Sequence, residues 1–222
     1  RQWTKCTGNP VLNWHYSCWP SAFTCAPYIF GETIQKHYRD MREMLHGSFI
    51  NGAYGYDPAR LSLSAYVWMR CLWNPEIDLR AVYDSFATRM FGPAAKPVRK
   101  LIGMQEKGWN RQWNSNRCSV RNVFGISYPR AEVLVMQDLF AEAYALAGGD
   151  EKVKARLDWY HTGFAQFFRE SAENASDNAF VPLMMKKAVT PPRVDGKLDD
   201  ACWKDAEARN FVRARNPTNS VP

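Results

Sequence analysis

The sequence lacks the residue spacing that metal and redox sites require. No two of the six cysteines are separated as C-x-x-C. The four histidines show no metal-ligand spacing either: they are His15, His37, His46 and His161. Motifs for a nucleophilic serine (G-x-S-x-G), for a P-loop and for dinucleotide binding (G-x-G-x-x-G) are also missing. We therefore expect no metal and no cofactor, and the sequence does not suggest serine-hydrolase or nucleotide chemistry.

Long apolar runs and single-sign charge blocks are missing as well. No stretch approaches the roughly 20 apolar residues of a membrane span, so we expect none. The net charge is +7. The densest excess of positive charge is opposed only by Glu106. Its basic residues are Lys96, Arg99, Lys100, Lys107, Arg111, Arg117 and Arg121. These residues could line a groove for an anionic polymer, such as a uronic-acid glycan or nucleic acid. We favour a solvated surface, because no nucleic-acid motif accompanies them, and expect no nucleic-acid partner.

Five of the six cysteines fall into two groups. Cys71 and Cys202 lie in apolar runs and are best interpreted as small core residues. Cys6, Cys18 and Cys25 lie close together in a loop-rich stretch. If the protein is exported, one disulfide among these three is compatible with their spacing, and the sequence does not fix the pairing.

The first 60 residues alternate between strand and helix patterns. Residues 11–16 (VLNWHY) predict a buried strand, and GSFINGAY, which starts at Gly47, predicts a second one. Between them Thr33 is placed to cap a helix that Gly47 ends, with an apolar stripe of Ile34, His37, Tyr38, Met41 and Leu45. A further helix opens at Pro58 and is apolar on nearly all sides. Two strands joined by a helical crossover should be parallel.

Because two strands alone do not form a stable sheet, we expect partner strands upstream of Arg1. The economical interpretation is an α/β start that becomes mainly α. Residues 1–59 would be the last two β/α units of a TIM-type (β/α)8 barrel, with a doubly wound sheet as the alternative. Residues 60–172 predict an α-helical bundle, with caps at Asp78 and Asp150 and stops at Gly92-Pro93 and Gly148-Gly149. Residues 173–190 have the composition of a linker.

A Trp- and Arg-rich connector at 109–128 interrupts the helices. Trp109 and Trp113, with Arg111 between them, could form a platform for a sugar ring. We prefer a hydrophobic clasp that closes over the bundle.

Residues 191–203 read PPRVDGKLDDACW. This stretch resembles the opening of a family 9-type carbohydrate-binding module, a β-sandwich. Such a sandwich takes about 100 residues, so residues 191–222 would be its truncated start. The resemblance implies a piece of a larger protein that acts on polysaccharides.

A second resemblance covers roughly residues 9–170. The matching stretches are VLNWHY, GSFINGAYG, LSAYVWMRCLWNPEIDLRAVYDSFATRMFGPAA and KVKARLDWYHTGFAQF, of which the run from Leu63 to Ala95 is the most specific. Together they are similar to the C-terminal part of a bacterial family, number 4838 among the domains of unknown function, in the α-glucuronidase-like barrel group. The resemblance implies a secreted, periplasmic or cell-surface protein that is glycoside-hydrolase-like and binds glycans. It does not indicate the sugar or an oligomeric state.

In such a barrel the active face lies at the carboxyl ends of the strands. The residues at those ends that suit a sugar are Trp14, Tyr16, Asn51, Tyr54, Tyr56 and Asp57. Aromatic faces stack on the apolar C–H faces of sugars, while polar tips bond the hydroxyls. Each residue has a structural alternative: Trp14 could pack in the core, His15 could be a structural histidine, and Asp57 precedes Pro58 and suits a helix cap.

Catalytic carboxylates cannot be assigned. Glycoside hydrolysis usually needs two of them about 5–10 Å apart, yet no Asp or Glu precedes Glu32, and the second strand reads Phe49-Ile50-Asn51-Gly52 where the family resemblance implies an acid. Two main hypotheses stay open: a glycoside-hydrolase-like protein whose catalytic pair lies elsewhere, or a non-catalytic glycan-binding or scaffold protein. A third is a helical interaction domain without a glycan role.

Overall fold

The computed structural model describes two units, Arg1–Phe180 and Val181–Pro222, each considered by itself. The residues that it describes are 6, 8–9, 11–16, 25–51, 58–112, 123–175, 211–212 and 220–221. For Tyr16, Asn51, Gln112 and the two short segments after residue 210, only the backbone is described.

The first unit contains two strands followed mainly by helices. In chain order its elements are β1 (Val11–Tyr16), α1 (Gly31–Met41), β2 (Leu45–Asn51), α2 (Pro58–Trp73), α3 (Leu79–Phe91), a 3-10 turn (Gly92–Ala94), α4 (Ala95–Gln112), a π-turn (Val123–Ser127), α5 (Arg130–Ala147), α6 (Glu151–Thr162) and α7 (Ala165–Asn174). In the second unit β3 (Phe211–Val212) pairs antiparallel with β4 (Ser220–Val221).

The parallel pairing of β1 and β2 across a helical crossover confirms that prediction. Trp14 is the register partner of Phe49, and Tyr16 is the partner of Asn51. The expected end of the crossover helix at Gly47 is wrong, because α1 stops at Met41 and Gly47 lies within β2. A Cβ on Gly47 would lie 3.1 Å from Leu12 Cδ2, so the glycine makes room for its register partner across the sheet.

The barrel interpretation is wrong. Across the described ranges, the parallel sheet has two strands, and no series of β/α units continues it. The doubly wound alternative needs additional strands and fails on the same observation. Among the described residues of the second unit there is one two-residue antiparallel pair and no start of a β-sandwich. Partner strands were expected because two strands alone are unstable. Instead, the Tyr38 side chain of α1 and the Trp68 side chain of α2 cover one face of the β1–β2 sheet.

The helices that follow residue 58 share an aromatic core and confirm the prediction of a helical bundle. Leu101, Phe140, Leu157, Phe164 and Phe167 are each no more than 6% exposed. Burial of such side chains contributes about 1.5–3 kcal/mol each. This shared core places α4–α7 against one another.

The caps predicted at Asp78 and Asp150 and the stops predicted at Gly92 and Gly148 are present, but the Thr33 cap is wrong, because α1 begins at Gly31 with Phe30 at the N-cap position. The Asp78 side chain accepts from the backbone N–H groups of Arg80 and Ala81, and Asp150 caps α6 in the same way. Gly92 and Gly148 end their helices at φ of +48° and +53°, which favours glycine.

Two helices differ from the pattern in the sequence. Helix α2 is not buried all round, because Tyr66, Met69 and Trp73 are exposed on one side. Val153, Leu157, Tyr160, Phe164 and Phe168 recur at helical spacing and predict one helix, but α6 and α7 are separate and Gly163 lies between them. A Cβ on Gly163 would lie 3.0 Å from the Arg60 backbone nitrogen, so the close approach of α2 requires glycine there. None of the helices described is long and apolar enough to cross a membrane.

Candidate functional site

The outer face of the β1–β2 sheet carries large apolar side chains in contact with solvent. Leu12 is 71% exposed, Trp14 61% and Phe49 58%. The Trp14 and Phe49 rings meet edge to face with centroids 5.8 Å apart. We call these three residues the aromatic sheet face. Side chains alternate along a strand, so Leu12 and Trp14 share this side while Asn13 and His15 lie on the other.

The opposite face of the sheet is held by a hydrogen-bond network around Tyr38 of α1. Trp68 Nε1 donates to the Tyr38 hydroxyl (2.7 Å), and Asn13 Nδ2 donates to it as well (3.3 Å). Ser48 Oγ lies 2.7 Å from the same oxygen. Contacts from α1 and α2 thus fix which sheet face packs inward, and they leave Trp14 outward.

The structure brings together part of the predicted sugar site. Trp14 is exposed, and the Tyr16 and Asn51 backbones pair at the carboxyl end of the sheet. Tyr54, Tyr56 and Asp57 lie outside the described residues. The sugar-binding role of all six stays a prediction.

Trp109 contributes to the core, as the clasp interpretation expected. Its ring packs against Tyr28 and Phe30, with centroids 5.6 and 5.2 Å away, and its Nε1 donates to Thr33 Oγ1 (2.8 Å). Trp113 lies outside the described residues. These contacts support the clasp for Trp109, while the sugar platform stays a prediction.

Several of the basic residues pair with acids on neighbouring helices. Arg99 Nε contacts Asp84 Oδ1 at 2.6 Å, and Lys107 and Arg111 both donate to Glu132. Burial alone would raise the pKa of Glu132, but hydrogen bonds and charge from Arg111 and Lys107 outweigh it and lower that pKa. These pairs support the solvated-surface interpretation of the charge excess.

A polar crevice between α1 and α4 was missed by the sequence interpretation. It has a volume of about 480 Å³ and is lined by Glu32, Gly103, Glu106, Lys107, Asn110 and Arg111. Glu106 Oε1 accepts from the Glu32 backbone N–H (3.0 Å) and from the Tyr83 hydroxyl (2.8 Å). Burial raises the pKa of Glu106, and those two hydrogen bonds act in the opposite direction.

The Glu106 carboxylate, which lines this crevice, caps the N-terminus of α1. Phe30, at the N-cap position, makes no side-chain capping bond, so the carboxylate from α4 takes that role. Gly31 completes the fit, since a Cβ there would overlap the Tyr83 hydroxyl. Glu32 in turn accepts from Asn110 Nδ2 at 3.0 Å. The two carboxylates are thus held by protein groups, and the crevice has a structural role.

A second crevice, of about 520 Å³, is lined by Arg39, Asp40, Arg42, Glu43 and Glu76. Arg39 and Arg42 pair with Glu76 at 3.0 and 3.8 Å, and all three side chains are well exposed. Exposed pairs of this kind contribute at most about 1 kcal/mol. This crevice is a solvated charged surface. Nowhere in the described ranges do three or more candidate metal ligands cluster.

The described cysteines carry free thiols. Cys6 is exposed, whereas Cys25 and Cys71 are buried. Burial raises the pKa of both the Cys25 and the Cys71 thiol to about 11. The burial of Cys71 supports its predicted packing role. Cys6 and Cys25 are free thiols, so neither forms the disulfide that was considered for the first three cysteines. Cys18 and Cys202 are outside the described residues.

Comparisons with known proteins add no relatives. No protein-family model matches the chain, and no curated protein or solved structure is significantly similar to it. The two family resemblances drawn from sequence motifs therefore stay predictions.

Proposed function

We propose that the aromatic sheet face binds a glycan, and that the chain belongs to a glycoside-hydrolase-like protein that acts on a polysaccharide or oligosaccharide. The observation that carries the proposal is the 61% exposure of Trp14 on the outer side of β1, beside Phe49, which is 58% exposed. Tryptophan combines a large apolar face with a polar N–H and is favoured where a ligand has both characters. A sugar ring is such a ligand.

The position of this face also suits ligand binding. Trp14 lies two residues before the end of β1, and its register partner Phe49 lies beside it on β2. The Tyr38 network holds the inner side of the sheet in place. The outer rings are therefore presented on a fixed support, which limits the ordering entropy that binding costs.

Binding is better supported than catalysis. Within the described residues, Glu32 and Glu106 share a crevice, but the Glu106 carboxylate caps α1 and the Glu32 carboxylate accepts from Asn110. The alternative function is accordingly a non-catalytic glycan-binding or scaffold protein. A secreted, periplasmic or cell-surface location goes with either function and is part of the same proposal.

We expect Trp14→Ala to weaken retention on an insoluble or immobilised glycan by about tenfold, because removal of a central aromatic contact costs at least about 1.4 kcal/mol. Affinity electrophoresis or calorimetry, after a glycan-array screen of the wild type, measures this. Trp73→Ala is the matched control, since Trp73 is 93% exposed at the end of α2 and does not belong to the sheet. Equal losses in both variants, or none in Trp14→Ala, would contradict the proposal.

A third variant separates sugar stacking from general apolar contact. Leu12 lies on the same face and is 71% exposed, but an aliphatic side chain offers no ring for stacking. Leu12→Ser should leave glycan retention within about twofold of wild type while it reduces any self-association of the face. If Leu12→Ser and Trp14→Ala abolish association with another protein equally and no glycan is retained, the face is a protein-contact surface.

A further inference from the structure

The contact between the inner face of the sheet and α1 contains two histidines. Asn13 and His15 are two residues apart on β1 and so share that face. Asn13 Nδ2 lies 3.3 Å from His37 Nε2 on α1. His15 and His37 are close enough to influence each other's charge. Both imidazoles therefore lie behind the aromatic sheet face, on the far side of the strand that carries Trp14.

Hydrogen bonds join the inner face of the sheet to α1 and α2. Asn13 Nδ2 and His37 Nε2 lie 3.3 Å apart. The Tyr38 hydroxyl accepts from Trp68 and Asn13 and lies 2.7 Å from Ser48 Oγ. These contacts hold β1 on α1.

Protonation of His15 would destabilise the folded state. Its Nε2 is buried and has no hydrogen-bond partner among the described residues. A proton there would be an unsatisfied buried donor, which is costly. Burial, followed by the effect of His37, lowers the pKa of His15, in keeping with a site that favours the neutral ring.

The neighbouring groups that are described offer no counter-ion for His15. From α1 the ionisable groups at this contact are His37 and Tyr38, and Asp40 of the same helix is paired with Lys36 at 2.6 Å. The contacts from β2 and α2 come from Ser48 and Trp68. This set therefore offers no negative charge that would stabilise a protonated His15.

We propose that buried His15, beside the Asn13–His37 contact, acts as a proton-sensitive catch that holds β1 on α1, so that mild acid loosens the aromatic sheet face and releases its ligand. The release of a ligand rests on the proposed function, whereas the loosening of β1 does not. The sign follows from linkage. The unfolded imidazole titrates near pH 6.5 and the folded His15 below it, so an open state binds more protons and gains population as pH falls through that range.

Backbone hydrogen exchange of β1, corrected for intrinsic rates, tests the catch between pH 7.5 and 5.5. In the wild type we expect the opening of β1 to increase on the order of tenfold, since one extra bound proton changes an equilibrium by up to tenfold per pH unit. His15→Asn should reduce that increase to about twofold or less. His37→Gln, whose amide oxygen can still accept from Asn13, provides a second variant if His15→Asn does not fold.

His161→Asn is the matched control. Burial also lowers the pKa of His161, but its ring stacks on Phe140 in the bundle, with centroids 4.3 Å apart. This variant should keep the full pH response of β1. A β1 opening that does not depend on pH, or one that both His15→Asn and His37→Gln leave unchanged, would overturn the catch.

Ligand retention at the two pH values separates the catch from the proposed function. With the glycan that the wild type retains at pH 7.5, we expect about tenfold weaker binding at pH 5.5 and no such loss in His15→Asn. If β1 opens in acid as expected but no glycan is retained at either pH, the catch stands and the glycan-binding function fails. If glycan is retained equally at both pH values while β1 opens, the catch does not control the ligand.

Discussion

Gly108→Ala is expected to destabilise the protein by about 2 kcal/mol or more in chemical denaturation, although alanine is the better helix former. Gly108 lies within α4, and a Cβ there would overlap the Tyr128 ring, with Cε1 only 2.5 Å away. Tyr128 is fully buried, stacks on Tyr28 with centroids 5.8 Å apart and donates to the Gln105 carbonyl at 3.2 Å. A ring held on three sides cannot move aside cheaply, and overpacking costs about 1–3 kcal/mol or more.

Gly103→Ala is the control on the same helix. The nearest side-chain atom to its added Cβ is Arg99 Nη1 at 3.9 Å, an ordinary contact. Here the helix propensity of alanine should prevail, and we expect a gain of about 0.5–1 kcal/mol. The two Gly→Ala substitutions, five positions apart, should therefore change the free energy of unfolding in opposite directions. Similar effects in both variants would mean that Tyr128 is not packed against α4.

Local sequence signals were sufficient for four of the helix ends, though not for either end of α1. Asp78 and Asp150 stand where an aspartate can accept from the next two free N–H groups, and both do so. Gly92 and Gly148 adopt the positive φ that their positions in the sequence suggested. These features depend on a few adjacent residues, so no knowledge of the tertiary structure was needed to predict them.

Features set by distant contacts were not predicted. Gly47 was interpreted as a helix stop because glycine often ends helices, but its role is to leave space for Leu12, which is remote in sequence. Gly163 was not singled out in the sequence, although α2 approaches it so closely that a Cβ would lie 3.0 Å from the Arg60 backbone nitrogen. The barrel inference failed for a similar reason: the instability of two isolated strands was taken to require more strands, whereas α1 covers one of their faces.

The candidate site shows the same difference between local sequence signals and contacts between distant residues. Trp14 was identified because its position near a strand end and its chemistry are visible in the sequence. Glu106 gave no such signal, since its role as a cap depends on α1 and α4 meeting at a crevice. The Asn13–His37 contact was also hidden, because a β-strand and the helix after it bring these residues together only when the crossover folds back on the sheet.

Phe164→Ala should cause the largest loss of stability, about 3–5 kcal/mol by chemical denaturation. Phe164 is fully buried at the junction between α6 and α7. Its ring meets Phe140, Tyr160 and Phe168 with centroid separations of 4.9, 5.5 and 5.7 Å. Removal of the ring loses its transfer free energy and leaves a cavity that rigid aromatic neighbours cannot fill. Domains are usually stable by only about 5–15 kcal/mol, so this variant should be close to unfolding at ambient temperature.

Leu134→Ala on α5 is the control for loss of an apolar side chain from the same bundle. Leu134 is 53% exposed, so its removal should change stability by no more than about 0.5 kcal/mol. Phe164→Ala also tests where the glycan binds, because Phe164 is in the bundle and not at the sheet. Glycan retention by the folded fraction of Phe164→Ala should equal that of the wild type, whereas Trp14→Ala should lose retention with little change in stability. A Phe164→Ala protein as stable as Leu134→Ala would show that the aromatic cluster does not hold α6 and α7 together.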